Sequence, residues 1–346
     1  MCRSWRAPTS ILDQDLYKFC MQQALLEHYP DVGVEYVFIN RDPTTKLNQQ
    51  AVDWLKSRIA AFASLVPQPD EIAYLKSACP YLSSAYLDFL DRLPVVCTLN
   101  SHGDLEMRIT GKWSEVILYE VPLLSLVSEA YFKFVDTDWS FGTRRRRDFR
   151  TQDTVMAGLA QVPKALPGMV TGSSNMYLAR KYNVPPVGTV GHEWTMGIAG
   201  ARGHAFFANF DRSLATLYNG VRHDSGDPFK FIESVHAHYT SLEIDPKTKV
   251  IVFSDGLDPD AAIKIKTHCE KFGLNCSFGI GTNFTNDYMK LSNPEQKSKA
   301  VNIVIKLFRC NDKYCVKLSD VKTKHTGDLK EVQRAQSELS LSGMLE

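Results

Sequence analysis

Four short apolar segments in the second half of the chain each lead directly into a loop of small, polar or charged residues. Runs of this length and character predict strands that are buried within a sheet. In α/β folds, ligands bind where parallel strands deliver their carboxyl-terminal ends. The sequence therefore predicts one polar site at the strand ends of a barrel or an open parallel sheet. The four segments with their loops are Pro186–Glu193, Gly220–Asp227, Val250–Gly256 and Ser277–Asn283.

Helices are predicted between these strands. Asp227 and Asp258 each precede a proline, which is the pattern of an N-cap followed by the first helical residue. Gly273 fits the carboxyl-terminal end of the second of these helices. The segment 250–280 is therefore predicted to form a strand–helix–strand unit, for which a right-handed crossover is expected.

The first third of the chain has a different pattern, in which strands and helices come in pairs after an amphipathic helix predicted at 11–29. This pattern indicates a separate α+β module. A hairpin predicted over 301–320 is expected to join that module. The predicted divisions are an N-terminal module over 1–135, an α/β catalytic domain over 136–300, and a C-terminal helix and tail over 321–346.

Composition narrows the classes of function. The chain has 346 residues, of which 44% are hydrophobic and 23% charged, and its net charge is +1. These values are ordinary for a soluble globular protein. A nearly neutral chain lacks the overall positive field that favours nucleic acids or acidic membranes. No apolar stretch approaches the roughly 20 residues that span a bilayer, and no secretory signal is visible.

The eight cysteines are scattered and include no Cys-x-x-Cys pair. This spacing predicts buried thiols in a reducing compartment rather than a disulfide framework or a zinc site. We therefore expect a cytoplasmic protein.

Two acidic residues, Asp224 and Asp255, stand directly at the ends of predicted strands, whereas Asp227 and Asp258 fit better as helix caps. Carboxylates at such positions can bind sugar hydroxyls, hold Mg²⁺ or stabilise a cationic sugar carbon. A glycosidase-type pair of catalytic carboxylates is an open alternative.

The loop 279–283, Gly-Ile-Gly-Thr-Asn, offers backbone N–H groups and a hydroxyl at a strand end, which suits a phosphate. Alone, the same loop would be a plain tight turn, because glycine is the common turn residue. Three similar loops elsewhere in the chain favour the phosphate interpretation.

Four consecutive arginines, Arg144–Arg147, follow Phe141 and two small residues. Such a run is most often a solvated face, and a nuclear-import or nucleic-acid patch is a second interpretation, which leaves a nuclear location open. In a third, Phe141 stacks on a flat anionic ring while Arg144 binds the carboxylate or phosphate of that ring.

A single histidine is usually structural or on the surface. His192 follows the small residues of 188–191 at a predicted strand end, so we expect it to be accessible. It could act there as a base, or as a nucleophile that accepts a phosphoryl group.

Taken together and in this order, the motifs resemble those of nicotinate phosphoribosyltransferases, and Tyr119–Lys133 resembles the fungal branch of that family. The resemblance extends over almost the whole chain. The matching motifs are Leu12–Phe19, Phe141–Arg146, Thr171–Asn175, Gly188–Trp194, Arg222–Pro228, Phe253–Asp258, Phe278–Asp287 and Lys317–Asp320.

The resemblance implies an ATP-dependent ligase, or pentosyltransferase, of NAD biosynthesis. Its substrates would be nicotinate and 5-phosphoribosyl 1-pyrophosphate, with ATP as co-substrate and Mg²⁺ bound through the substrate pyrophosphate. It also implies a homodimer with shared active sites. The implied fold is α/β, an incomplete α/β (TIM-like) barrel with an N-terminal α+β open-faced sandwich.

The resemblance also implies roles for individual residues. His192 would be the histidine that ATP phosphorylates, and Asp224 and Asp255 would act at the ribose. The remaining substrate-binding positions fall into three groups. These are Tyr17, Phe141, Arg144, Thr189 and Arg222 around nicotinate, Ser254 and Gly256 after the third strand, and Gly279, Gly281 and Thr282 around the phosphate.

The sequence departs from the family pattern at two places, near Ser140 and within Gly200–Ala205, where internal segments are missing. The second gap would remove a barrel strand and an aspartate that supports His192. A missing strand exposes sheet edges. The alternative prediction is therefore a catalytically impaired or inactive variant, such as a splice form, that retains only ligand binding or dimerisation.

Overall fold

The computed structural model describes residues 10–62, 65–90, 97–101, 105–137, 148–165, 170–188, 210–281, 283–284, 288–317 and 327–338. The chain divides into two compact units, each built from two segments. The first unit is Met1–Ile198 with Thr285–Cys315, and the second is Ala199–Phe284 with Val316–Glu346.

In the described part of the chain, helices predominate between residues 112 and 220, and strand and helix alternate strictly over residues 220–278. The helices are α1 Leu16–His28, α2 Gln49–Phe62, α3 Pro69–Ala78, α4 Ser84–Phe89, α5 Trp113–Val116, α6 Glu120–Phe134, α7 Phe149–Leu159, α8 Val162–Ala165, α9 Met176–Tyr182, α10 Arg212–Leu217, α11 Pro228–Ser241, α12 Pro259–Lys271 and α13 Leu329–Glu338. The strands are β1 Gly33–Asn40, β2 Cys97–Ser101, β3 Leu105–Lys112, β4 Gly220–His223, β5 Val250–Phe253, β6 Asn275–Phe278, β7 Tyr288–Met289, β8 Lys297–Ser298, β9 Ile303–Cys310 and β10 Lys313–Tyr314.

The first unit contains a five-stranded antiparallel sheet in the order β10-β9-β1-β3-β2. In this sheet β1 lies between two partners, so Tyr36 is opposite both Ile109 and Leu307. These three side chains are almost fully buried, and they pack in one core with Phe19 and Leu25 of α1. Burial of such apolar side chains stabilises each by about 1.5–3 kcal/mol.

The helix predicted from residue 11 begins only at Leu16, because the preceding backbone hydrogen-bonds to a distant segment. The N–H of Tyr177 donates to the carbonyl of Leu12 at 2.7 Å, and that of Met176 donates to Gln14 at 2.8 Å. These bonds tie α9 to the beginning of the chain. Both segments belong to the first compact unit, which continues to Ile198.

The second unit contains a parallel sheet in the order β4-β5-β6. The strand–helix–strand unit predicted for 250–280 is present as β5, α12 and β6. At Gly220 the strands approach so closely that an added Cβ would lie 1.9 Å from the Val250 carbonyl oxygen, so only glycine fits. The apolar side chains of the strands pack on α11 and α12, through residues that include Val221, Ile232, Ile251 and Ile265.

The predicted helix caps are confirmed. The Asp227 carboxylate accepts the backbone N–H of Phe229 at 2.8 Å, and the Asp258 carboxylate accepts that of Ala261 at 2.7 Å. The mixed α/β class is confirmed as well. The incomplete barrel stays a prediction, because the described strands of the second unit form an open sheet. Among the described helices, none has the length and apolar character needed to cross a bilayer.

Candidate functional site

The carboxyl-terminal ends of the three parallel strands lie level with one another. His223, Phe253 and Phe278 are direct neighbours across the sheet, so the next residue of each strand begins a loop at the same height. The N–H of Gly279 donates to the Phe253 carbonyl at 2.8 Å and continues the alignment by one residue. The strand-end positions predicted to bind substrate in this unit therefore share one edge of one sheet.

Arg222, Asp224 and Ser254 are joined by hydrogen bonds at this edge. The Arg222 guanidinium donates through Nε to Ser254 Oγ at 2.7 Å and lies 2.5 Å from Asp224 Oδ1. The Ser254 hydroxyl donates in turn to the His223 carbonyl at 3.2 Å. Arg222 and Asp224 retain 25% and 30% of their side-chain exposure, so the pair is accessible to an anion from solvent. An arginine whose orientation is fixed in this way suits planar recognition of a carboxylate or phosphate.

Asp255 and Gly256 follow Ser254 and are exposed. Gly256 has a φ of 59°, in the left-handed region that glycine occupies without steric cost. The loop therefore turns sharply after β5 and leaves the Asp255 carboxylate at the solvent side of the sheet edge. Gly279 and Gly281 of the next loop are also described, and an added Cβ at Gly279 would lie 3.5 Å from Ser254 Cβ.

His223 was not predicted as part of the site, although it lies between Arg222 and Asp224. Its side chain is 5% exposed and packs between the rings of Phe231 and Phe253 at centroid distances of 5.1 and 5.6 Å. Burial lowers the pKa of His223, although the charges of Asp255 and other nearby aspartates oppose this shift. The alternation of side chains along a strand could have predicted the burial of His223, since His223 must lie on the same face of β4 as the apolar Val221.

A second group of predicted residues lies in the first unit. Tyr17 is half-buried near the start of α1, and Gly188 packs beside it, so that an added Cβ would lie 3.5 Å from the Tyr17 backbone nitrogen. Next to them, the Ser174 hydroxyl donates to Asp15 Oδ1 at 2.7 Å, and the Asn175 amide donates to Asp13 Oδ1 at 2.8 Å. Three segments that carry the family resemblance thus meet at one place. They are Leu12–Phe19, Thr171–Asn175 and the segment that begins at Gly188.

Lys18 is a buried charged residue that was not among the predicted site residues. Its side chain has no exposure and forms a 2.6 Å ion pair with Glu120 at the start of α6. Its ammonium also lies 5.6 Å from the centre of the Tyr17 ring. A signal was present, because Lys18 and Gln22 are four residues apart and lie on one face of α1, and Gln14 precedes them by the same spacing just before the helix. All three residues are buried.

The other predicted site residues lie outside the described part of the chain. They are Phe141, Arg144, Thr189, His192 and Thr282. Among the residues that are described, no group of three or more His, Cys, Asp and Glu side chains gathers in a way that could hold a metal ion.

Comparison with known proteins matches nearly the whole chain. The model of the nicotinate phosphoribosyltransferase (NAPRTase) N-terminal domain matches residues 12–128. The model of the nicotinate phosphoribosyltransferase (NAPRTase) family matches residues 132–202 and 202–342. The latter two segments meet at residue 202, within the stretch where the sequence predicts the second missing segment.

Individual relatives agree with this. A Schizosaccharomyces pombe protein is 41% identical over 403 residues, covering 97% of this chain and 98% of its own length. The nicotinate phosphoribosyltransferase of Saccharomyces cerevisiae is 35% identical over 405 residues, covering 95% and 94%. A Saccharomyces cerevisiae crystal structure is similar with a TM-score of 0.91 and 34% identity, covering 99% of this chain and 100% of that chain. Alignments longer than the 346 residues of this chain mean that the relatives carry internal segments that it lacks.

Proposed function

The chain belongs to the nicotinate phosphoribosyltransferase family, and we propose on that premise that it joins nicotinate to 5-phosphoribosyl 1-pyrophosphate. The products are nicotinate mononucleotide and pyrophosphate, and the reaction serves NAD biosynthesis. The observation that supports this most directly is the hydrogen-bonded group of Arg222, Asp224 and Ser254 at level strand ends.

Transfer of a ribosyl group passes through a state in which the anomeric carbon carries positive charge. Negative charge held close to that carbon stabilises the transition state more than the ground state. We assign this role to Asp224 and Asp255, which follow neighbouring strands. The pairing of Asp224 with Arg222 keeps its carboxylate oriented before substrate arrives.

Nicotinate is a flat ring with a carboxylate, so its site requires a positive charge and an aromatic surface. In the proposal Arg222 binds the carboxylate, together with Thr189 and Arg144. A cation at this position favours nicotinate over its neutral amide. Tyr17 and Phe141 stack on the two faces of the ring.

The phosphate end of the sugar substrate is assigned to the loop after β6. Gly279 and Gly281 present backbone N–H groups without a side chain in the way, and Thr282 adds a hydroxyl. Gly256 allows a similarly close approach after β5. Ser254 contributes by holding the Arg222 guanidinium in place.

Mg²⁺ would enter with the substrate pyrophosphate. This ion keeps several waters and needs only one or two protein carboxylates when phosphates supply the other ligands. Asp224 and Asp255 fit that requirement. When bound, the ion neutralises charge on the leaving pyrophosphate.

ATP coupling is assigned to His192, through phosphorylation of its ring and hydrolysis of the phosphohistidine during turnover. The energy of that hydrolysis would shift an unfavourable transfer equilibrium toward nicotinate mononucleotide. We further propose a cytoplasmic homodimer in which Tyr17 reaches the active site of the partner subunit. The incomplete barrel belongs to the same proposal.

One observation favours a second candidate function. The break in the family match at residue 202 supports loss of a segment that the relatives retain. A chain without it could bind substrates, or dimerise, without turnover. The test is formation of nicotinate mononucleotide by the purified full chain, with and without ATP. Product formed faster with ATP supports the enzyme; substrate binding without product supports the impaired variant.

Variants test the assignments one by one. Arg222→Ala should raise the KM for nicotinate more than the KM for 5-phosphoribosyl 1-pyrophosphate. Arg212→Ala removes an exposed arginine that pairs with Glu243 on the surface, and it serves as the matched control. His192→Ala should abolish stimulation by ATP and leave slow basal transfer. A normal nicotinate KM in the first variant, or full ATP stimulation in the last, would remove the corresponding assignment.

A further inference from the structure

Strands β9 and β10 form a tight hairpin at one edge of the five-stranded sheet. Cys310 is the last residue of β9, and Cys315 directly follows β10. Cys310 is the direct partner of Lys313 across the turn. The N–H of Cys315 donates to the Phe308 carbonyl at 2.9 Å, which extends the pairing past β10. Cross-strand neighbours share a face, and residues two apart on a strand share a face. Cys310 and Cys315 therefore project from the same face as diagonal neighbours.

The hairpin is held in this register from two sides. The N–H of Asn311 donates to the Gly33 carbonyl at 2.7 Å, and the Gly33 N–H donates to Asn311 Oδ1 at 2.9 Å, so the turn is fastened to the start of β1. On the other face, the Arg309 guanidinium lies 4.4 Å from the centre of the Tyr314 ring. Slippage that would separate the two cysteines must break all of these contacts.

The two thiols differ in exposure. Cys310 is half-buried and can be reached from solvent, whereas Cys315 is 6% exposed. Within the described residues no third histidine, cysteine or acid joins them, so the pair lacks the ligands of a structural zinc site.

The environment divides the roles of the two sulfurs. The hydrogen bond from Cys315, with help from Lys313, lowers the pKa of Cys310 to about 7. The same hydrogen bond and burial raise the pKa of Cys315. At neutral pH a larger fraction of Cys310 is then thiolate than of a thiol with an ordinary pKa. An accessible thiolate beside a second thiol is the arrangement of a redox-sensitive cysteine.

We propose that Cys310 and Cys315 are a modification site at which a peroxide forms a reversible intramolecular disulfide. The Cys310 thiolate attacks one peroxide oxygen, the O–O bond breaks, and hydroxide leaves and is protonated to water. Cys310 is then a sulfenic acid. The Cys315 sulfur attacks the Cys310 sulfur, the S–S bond forms, and the S–O bond breaks as hydroxide takes up the Cys315 proton. The two thiols lose two electrons in total, and the peroxide gains them. A dithiol reductant reverses the change.

The position of the disulfide gives it a structural effect. Cys315 is the last residue of the first compact unit, and the chain enters the second unit at Val316. The new bond would fasten that point to β9, inside the sheet. Oxidation would thus restrain the place where the chain leaves the first unit, whatever reaction the protein catalyses.

The test uses the full chain treated with hydrogen peroxide, digested and mapped by mass spectrometry. A second pair of cysteines whose pKa values are shifted by each other, Cys269 and Cys276, is removed in a Cys269→Ser/Cys276→Ser variant. We expect a disulfide between Cys310 and Cys315 in both proteins, and its loss after treatment with dithiothreitol. Peroxide that leaves both thiols free in the wild-type protein, or a disulfide that needs Cys269 or Cys276, would overturn the proposal.

Single variants test the order of events. Cys315→Ser should accumulate a sulfenic acid on Cys310 that dimedone traps, at a rate that rises with pH as the Cys310 thiol loses its proton. Cys310→Ser should show no such labelling of Cys315. Labelling of Cys315 in preference to Cys310 contradicts the assigned roles. Because the mapping of the wild-type protein needs no substitution, a misfolded variant would not prevent the test.

Discussion

Arg222 lies in β4 and Ser254 directly follows the neighbouring parallel strand β5, and the guanidinium Nε–H donates to the serine hydroxyl at 2.7 Å. A hydrogen bond to a charged group contributes about 1.5–3 kcal/mol when it is well shielded, and less at a partly exposed site such as this one. Loss of the bond frees the guanidinium to adopt other rotamers.

We therefore expect Ser254→Ala to raise the nicotinate KM by roughly tenfold, with a smaller change in kcat. Steady-state kinetics with varied nicotinate measure this. Ser234→Ala is the control, because the Ser234 hydroxyl donates to the backbone carbonyl of Lys230 within α11, away from the strand ends. Equal kinetics for the two variants would show that Ser254 does not position Arg222.

The substitution Gly256→Ala tests how much the left-handed backbone at Gly256 costs a residue other than glycine. An added Cβ would meet no atom within 4 Å, so the cost of Gly256→Ala lies in the φ of 59° alone, about 1–2 kcal/mol. Gly158→Ala is the matched control within α7, where space is also open and the backbone is helical; there the change should stabilise by about 0.5–1 kcal/mol. Denaturant unfolding of both variants measures the difference in sign. Stabilisation by both would mean that the loop relaxes without cost.

The burial of His223 predicts a pH dependence of stability. Burial lowers its pKa in the folded protein below the unfolded value of about 6.5. The unfolded state then binds more protons as the pH falls below 6.5, so stability decreases as pH drops through that value toward the folded pKa.

His223→Leu should reduce this loss of stability between pH 7 and pH 5. Unfolding free energies at several pH values measure the slope, and His28→Leu, at the exposed end of α1, controls for the loss of a histidine. If the unfolding free energy changes with pH equally in the wild type and in His223→Leu, then His223 does not contribute to the pH dependence of stability.

The buried ion pair of Lys18 and Glu120 should be sensitive to loss of one partner. Glu120→Gln removes the charge that pairs at 2.6 Å with the buried Lys18 ammonium, and we expect about 3 kcal/mol of destabilisation by thermal or chemical unfolding. The pair Lys112 and Asp31 has a similar distance of 2.8 Å but is exposed, so Asp31→Asn should have little measurable effect. Comparable losses of unfolding free energy in Glu120→Gln and Asp31→Asn would show that burial of an ion pair does not decide how much its loss costs.

The second unit could be predicted closely from its sequence, because each signal there is local. Apolar runs gave β4, β5 and β6, and an aspartate before a proline gave the starts of α11 and α12. Level strand ends then follow from parallel pairing, which is why Arg222 and Asp224 could be named in advance. The bond between Arg222 and Ser254 could not, since it depends on the register of two strands.

The first unit was harder to predict, because its structure depends on distant contacts. Ile11 and Leu12 continue the apolar pattern of α1, yet their segment pairs with α9 instead. Helix α6 was missed, because it is buried on most sides and so lacks an amphipathic period. The charge of Lys18 is stabilised by Glu120, which is remote in sequence.

The position of β9 between β10 and β1 in the first sheet has a consequence for biosynthesis. A ribosome delivers β1 and β3 early, but β9, which pairs with β1 along nearly its full length, comes only after all three strands of the second unit. The nascent chain therefore carries an unfinished N-terminal sheet while the later parallel sheet can already assemble. Domains usually mature from the N-terminus onward during translation; in this protein the unit that begins first is completed after the strands of the other.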